Sequence, residues 1–196
     1  MTESELFVLA DRALNGVVGQ VRDDQWAMEM PETFFTRAVD HRPTLREVLN
    51  YHAYDDAWVP DMLAGRTMDE AGRDRFRGDL LGEDPKARFA EIVERACDAA
   101  RALDDPDRTV HCSFGDFPAR GYLWQVIGFR AFRTHDIARV LGVDPTLPAE
   151  LVQALWDQYL PRAEEMRRIG VFRQPVPVPD DAPLQDRLMA LTGRQP

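Results

Sequence analysis

Residues 122–148 read YLWQVIGFRAFRTHDIARVLGVDPTLP, and the fold turns on how this stretch is placed. The pattern predicts one long helix from about residue 118 to 141, stopped at Gly142. Its inward face is expected to hold Val126, Phe129, Arg133, Asp136 or Ile137, and Val140. Upstream, TVHCSFGDF alternates apolar and polar residues at Val110, Cys112 and Phe114, which predicts a short strand or extended segment. Before it, Phe89, Ile92, Val93, Ala96, Cys97, Ala100 and Leu103 fall on one face of a helix starting at Pro85. Downstream, a further helix is expected from about 148 to 169, ending at Gly170. The tail from about 171 to 196 holds four prolines before a short amphipathic helix, and is expected to wrap the helices in an extended conformation.

The first half of the chain reads the same way. Leu6, Phe7, Ala10, Leu14, Val17, Val18 and Val21 recur at helical spacing, with Thr2 or Ser4 as the cap. After an irregular stretch, in which Trp26, Phe34 and Phe35 are expected to pack inward, Thr44 and Glu47 form a capping box. They open a helix that should stop at Gly65, with Pro60 predicting a kink or an early end. Residues 66–83 read as a loop with short helical turns. Long helices with apolar stripes and modest connections imply an all-α antiparallel four-helix bundle in a single domain, 1–196.

Composition narrows the partners. The 196 residues carry a net charge of −10. That disfavours nucleic acid, which needs a basic face, and an anionic membrane surface. No run is long enough to span a bilayer, and the acidic, amphipathic start does not read as a signal peptide. Two cysteines, Cys97 and Cys112, without a CxxC, fit a reducing cytoplasm.

Two polar residues interrupt an apolar stripe. Leu45, Val48, Leu49, Ala53, Val59 and Leu63 define the buried face of the second long helix, and His52 and Asp56 fall on it, four residues apart. Two polar side chains facing a core need partners. A His and an Asp at this spacing can share one metal ion, or they can form a satisfied core pair.

Four stretches, TLREVLNYHAYDDAWVPDMLAG, RGDLLGEDP, the 122–148 segment and VPVPDDAPLQDRLMALTGR, together resemble the DinB-like proteins. The nearest branch is the one related to mycothiol-dependent maleylpyruvate isomerase. The resemblance covers most of the chain and implies a helical bundle with its site between facing helices. In that family a divalent metal, zinc or nickel, is held by a histidine on an earlier helix, and by an acid and a histidine on the helix of residues 122–148. His52 matches the first ligand. The other two positions are Phe129 and Arg133, one without a lone pair and the other a permanent cation. His135 is turned about 200° from Arg133 on a helix and does not replace the missing ligand. Arg133 is instead expected to pair with Asp56 or Asp136, since an unpaired buried arginine is costly.

Three functions follow. The resemblance implies a thiol-dependent isomerase or transferase acting on small electrophiles through a low-molecular-weight thiol. His52 would be its base, Asp56 would orient His52, and Arg133 would stabilise an anion. The residues themselves also fit a metal-free pocket protein that takes an anionic small molecule through Arg133 and Arg130, or a structural homologue with a filled core. An open cavity of about a few hundred Å³ beside His52 favours a ligand over a filled core. Cys112 reads as a small buried residue, because adjacent strand residues face opposite ways and His111 is badly placed to activate it. His135 is expected at a partly exposed helix edge, His41 in a surface loop, and Asp136 in a structural hydrogen-bonding role.

Overall fold

The computed structural model describes residues 1–35, 40–113 and 115–196. In chain order the α-helices are α1 (Glu3–Val18), α2 (Leu45–Leu63), α3 (Met68–Ala71), α4 (Pro85–Arg101), α5 (Ala119–Leu141), α6 (Ala149–Tyr159), α7 (Ala163–Arg168) and α8 (Leu184–Leu191). Strands β1 (Thr109–Cys112) and β2 (Gly115–Pro118) form an antiparallel hairpin between α4 and α5. The protein is thus mostly helical with one small sheet. Among the described residues, no helix is long and apolar enough to cross a membrane.

The caps written in the sequence fix the helix starts. Thr44 N–H donates to Glu47 Oε2 at 2.7 Å while Glu47 N–H donates to Thr44 Oγ1 at 3.3 Å, which satisfies two donors that the first turn leaves orphaned. Thr2 and Glu5 do the same for α1. Asp84 accepts from Ala87 N–H at 3.1 Å in front of Pro85. Gly142 ends α5 at φ +70°, a left-handed conformation that glycine adopts without strain.

Two prolines act differently from expectation or go beyond it. Pro60 does not end α2, which runs on to Leu63. Lying in the last turn, it removes one N–H, and its own carbonyl still accepts from Ala64 N–H at 3.1 Å. Pro161 breaks the helix expected over 148–169. A 3₁₀ turn, Leu160–Arg162, separates α6 from α7, because the proline ring cannot continue the helical ladder.

Helix α1 packs against both α4 and α5, and α4 packs also against α2. Phe7, Leu14, Leu49, Ala53, Phe89, Val93, Leu123 and Ile127 fill the space between them and are fully buried. Side chains bridge the seam between α2 and α5, where Arg130 of α5 reaches His52 and Asp56 of α2. Residues 78–82 are strapped to the outside of α2. Asn50 accepts from Leu80 N–H at 2.7 Å and donates to Gly78 O at 3.0 Å, and Arg46 donates to Asp79 at 2.7 Å.

The irregular stretch before α2 lies alongside its start. Leu45 N–H donates to Met28 O at 2.8 Å and Arg46 N–H to Trp26 O at 3.0 Å, and Trp26 and Phe34 are buried as expected. In the hairpin, Val110 is buried and His111 stands opposite Asp116. Phe114, the third residue of the expected alternation, lies outside the described residues. In the tail, Arg173 N–H donates to Thr192 O at 3.2 Å and Val176 N–H to Ala190 O at 3.0 Å. Gly193, at φ +80°, lies so close to this segment that a Cβ there would meet Arg173 Cβ at 2.4 Å.

Candidate functional site

The two polar residues of α2 converge on one cation, and that cation is a guanidinium from α5. Arg130 Nε donates to Asp11 Oδ1 of α1 at 2.9 Å, Nη2 donates to Asp56 Oδ1 at 2.5 Å, and Nη1 donates to His52 Nδ1. All four side chains are buried. Their elements explain the geometry. His52 and Asp56, one helical turn apart, present their side chains on the same face of α2. Asp11 lies on the buried stripe of α1 between Phe7 and Leu14, and Arg130 on that of α5 between Ile127 and Thr134. The planar fork of arginine serves three acceptors at once, which a lysine could not do with the same geometry.

Burial dominates the protonation of this cluster. It pushes the Asp11 carboxyl up to about 6 despite the opposing pull of Arg130. It pushes Asp56 well above the ordinary carboxylate range against the same pull. For Arg130, burial works downward, but Asp56, Asp11 and Asp55 outweigh it and the guanidinium is held charged. One cation cannot balance two buried anions, so the two carboxyls titrate as a coupled set around one proton. The outer oxygens, Asp11 Oδ2 and Asp56 Oδ2, have no hydrogen-bond partner. Burial, and then the charges of Arg130 and Arg133, hold His52 well below its usual value, so the imidazole is neutral. Arg130 can only donate, so Nδ1 accepts and the ring proton sits on Nε2.

Of the two partners expected for Arg133, the structure selects Asp136 and not Asp56. Arg133 Nη1 donates to Phe34 O at 2.8 Å, its guanidinium lies 4.1 Å from the Phe34 ring centroid, and Asp136 is 3.7 Å away. Ile137 is buried, as one of the two alternatives had it, but the rest of the inward face of α5 is one residue round from the expected one: Ile127, Arg130 and Leu141 are buried, whereas Phe129 is 36% exposed. His52 and Asp56 are therefore brought together as expected, but the third member is Arg130, and Asp11 joins as a fourth.

Asp136 has the structural role expected of it. Arg194 Nε donates to its two oxygens at 3.0 and 3.2 Å, tying the end of the chain to α5. Burial raises its pKa, but His135, Arg194 and Arg133 outweigh that and hold the carboxyl below the usual range. His135 is buried rather than at an exposed edge, 2% accessible, because α5 has packing partners on most of its circumference. His41 is exposed, as expected.

A divalent metal, which the resemblance implies, does not fit these residues. His52 has no free lone pair, since Nδ1 accepts from Arg130 and Nε2 carries the proton. Phe129 offers no donor atom, and two guanidiniums flank its ring, at 6.0 Å for Arg130 and 5.7 Å for Arg133. Both would repel a dication. Among the described residues, no group of three or more His, Cys, Asp or Glu is arranged to hold a metal ion.

Beside the cluster, the seam between α2 and α5 opens into a cleft of about 310 Å³. Tyr51, Asp55 and Trp58 of α2 face Tyr122 and Phe129 of α5 across it, and Cys112 of β1 closes one end. Phe129 lies over His52 with ring centroids 4.8 Å apart, which separates the cleft from the buried guanidinium. No arginine, lysine or histidine lines the cleft among the described residues, and Asp55 is its one charged group. Asp55 makes no hydrogen bond or ion pair among the described residues, and burial pushes its carboxyl up to about 6. Trp58 Nε1 is buried without a partner.

The thiol of Cys112 is pushed up to about 11 by burial and then by Asp116, so it is not a thiolate at neutral pH. His111, whose Nδ1 lies 2.9 Å from Asp116 across the hairpin, is engaged elsewhere. Both cysteines are free thiols. A second depression, of about 540 Å³, lies where the start of α1 meets the end of α4. It contains no buried titratable side chain.

Sequence reasoning missed Asp11, although it was legible as the one charge on the apolar stripe of α1. Arg130 was read as a contact for an anionic ligand, and its role as the shared partner of His52, Asp56 and Asp11 was hidden by reading α5 at the ligand spacing of a family. The place of Asp55 in a cleft becomes visible only once the cleft has walls. Comparison of the chain with protein-family models, with curated proteins and with solved structures finds no match.

Proposed function

We propose that this chain is a metal-independent small-molecule-binding protein, built on an antiparallel four-helix bundle of the DinB-like type. The resemblance of its four segments supports the scaffold, as does the packing of α1, α2, α4 and α5. On this reading the proline-rich tail is the wrap of that scaffold.

The observation that carries the function is the aromatic cleft of about 310 Å³ beside a closed His52–Arg130 cluster. A filled core would leave no such space, and this one falls at the lower end of small-molecule pockets, roughly 300–1,000 Å³. The cluster takes the position a metal would have in the resembling proteins and is a structural core. His52, with no free lone pair, is not a base. The anionic ligand expected from the sequence is disfavoured, because Arg130 and Arg133 are both engaged and neither lines the cleft. A thiol-dependent reaction lacks a group here to generate the thiolate.

Elemental analysis of tag-free protein prepared without chelators tests this reading. It is expected to find no stoichiometric zinc, nickel or iron. Near-stoichiometric metal that is lost on His52→Ala would overturn the reading and restore thiol-dependent catalysis as the function.

A further inference from the structure

The cleft differs from an ordinary apolar pocket in its charge pattern. Its walls are aromatic, from Tyr51, Trp58, Tyr122 and Phe129, and its single charged lining residue is the Asp55 carboxylate. Aromatic faces carry negative quadrupole charge and attract cations, the more so when both are desolvated. Among the described residues Asp55 makes no hydrogen bond or ion pair, unlike Asp56 and Asp11, whose carboxylates are turned to Arg130. The surroundings add to the effect. Within the buried cluster, Asp11 and Asp56 share one guanidinium, so the wall behind Asp55 contributes no excess of positive charge. Arg130 and Arg133 stand behind the Phe129 ring and do not line the cleft, so an anion entering it would meet Asp55 as the one charged lining group among the described residues.

We propose that the ligand of this cleft is a small organic cation, an amine or quaternary ammonium compound with an apolar body, held by Asp55 and the aromatic walls. The inference rests on the cleft being the ligand site. Asp55 supplies the counter-charge, Trp58 and Tyr122 the inner faces, and Tyr51 and Phe129 the mouth. The two mouth rings meet edge to face, with centroids 6.2 Å apart, and both are partly solvent-exposed.

Three probes of similar size and different charge test this by titration calorimetry at pH 8: benzyltrimethylammonium, benzyl alcohol and benzoate. Benzyltrimethylammonium is expected to bind about tenfold or more tighter than benzyl alcohol, and benzoate weakest. Asp55→Asn should remove most of the cation's advantage while leaving benzyl alcohol unchanged. Circular dichroism of the variant would establish that it folds. If benzyl alcohol equals the cation, or Asp55→Asn leaves the cation's affinity unaltered, the charge inference falls and the cleft remains a ligand site. If none of the three binds at millimolar concentration, both readings fall.

Discussion

Phe129 lies nearly flat on His52, with planes 27° apart. The ring is an aromatic lid. It shields a neutral imidazole and a buried guanidinium from a cleft that would otherwise reach them. Removing the ring should let water reach the cluster. Phe129→Ala is expected to cost about 1–2 kcal/mol, less than a core phenylalanine, because Phe129 is already 36% exposed. Urea unfolding measures this, and an unchanged midpoint would show that the stacking contributes nothing.

Arg130 and Arg133, one turn apart on α5, should behave very differently on truncation. Arg130→Ala leaves two buried carboxyls and an imidazole without their shared donor, and is expected to cost about 3–5 kcal/mol or to prevent folding. Arg133→Ala loses one charge-assisted hydrogen bond to Phe34 O, cation–π contacts with Phe34 and Phe129 and the partly exposed ion pair with Asp136, about 1–3 kcal/mol together. Adding Asp11→Asn and Asp56→Asn to Arg130→Met should recover part of the loss, because the unpaired carboxyls are then gone. If Arg133→Ala proved the more damaging, the buried cation would have been misassigned.

The difference between these arginines shows where sequence reading reaches. Thr44 with Glu47, and Gly142, act within a few residues of chain, so their roles follow from local sequence and were legible. His52 and Asp56 were legible as polar residues on a clear stripe. The buried stripe of helix α5 is not singled out by its sequence, because α1, the end of α6 and the tail pack around it and bury residues on several faces. A face one position away, through Phe129 and Arg133, therefore looked equally plausible. The choice of Arg130 is made by Asp11, which is 119 residues away in the chain. The cleft is the least legible feature, since it depends on how far α2 and α5 stand apart.

Gly128 lies where α5 meets the end of α6. A Cβ at this position would lie 2.0 Å from Tyr159 Oη and 2.9 Å from its Cζ. Tyr159 in turn is held between Phe132 and Phe172, at 5.6 and 5.4 Å, and has little room to retreat. Gly128→Ala is expected to cost about 1–3 kcal/mol by overpacking, although alanine is the better helix former. In a Tyr159→Leu background the same change should cost less, a non-additivity read from a double-mutant cycle. Equal costs in both backgrounds would mean that Tyr159 is not the obstacle.

Asp55 should make the protein less stable than it need be, and in a pH-dependent way. Its carboxyl is raised from 3.8 to about 6 by burial, with Arg130 opposing. An acid with a raised folded-state pKa holds its proton more tightly folded than unfolded. It therefore imposes no penalty below the unfolded value, and the penalty grows as pH rises through the folded one. Asp55→Asn removes the ionisation, and Asp55 has no ion pair to lose. The variant should match the wild type near pH 4, gain stability as pH rises from about 4 to about 6, and stay more stable by about 1–3 kcal/mol at pH 8. The opposite pH dependence of His52, whose folded pKa is depressed, is common to both proteins and cancels in the difference. Urea denaturation of the pair at pH 4.5 and pH 8 measures this. A stabilised variant that no longer discriminates cations from neutral probes would mark Asp55 as a residue kept for binding at the expense of stability. A variant less stable at pH 8 would mean that Asp55 is already paired within the fold and is not available to a ligand.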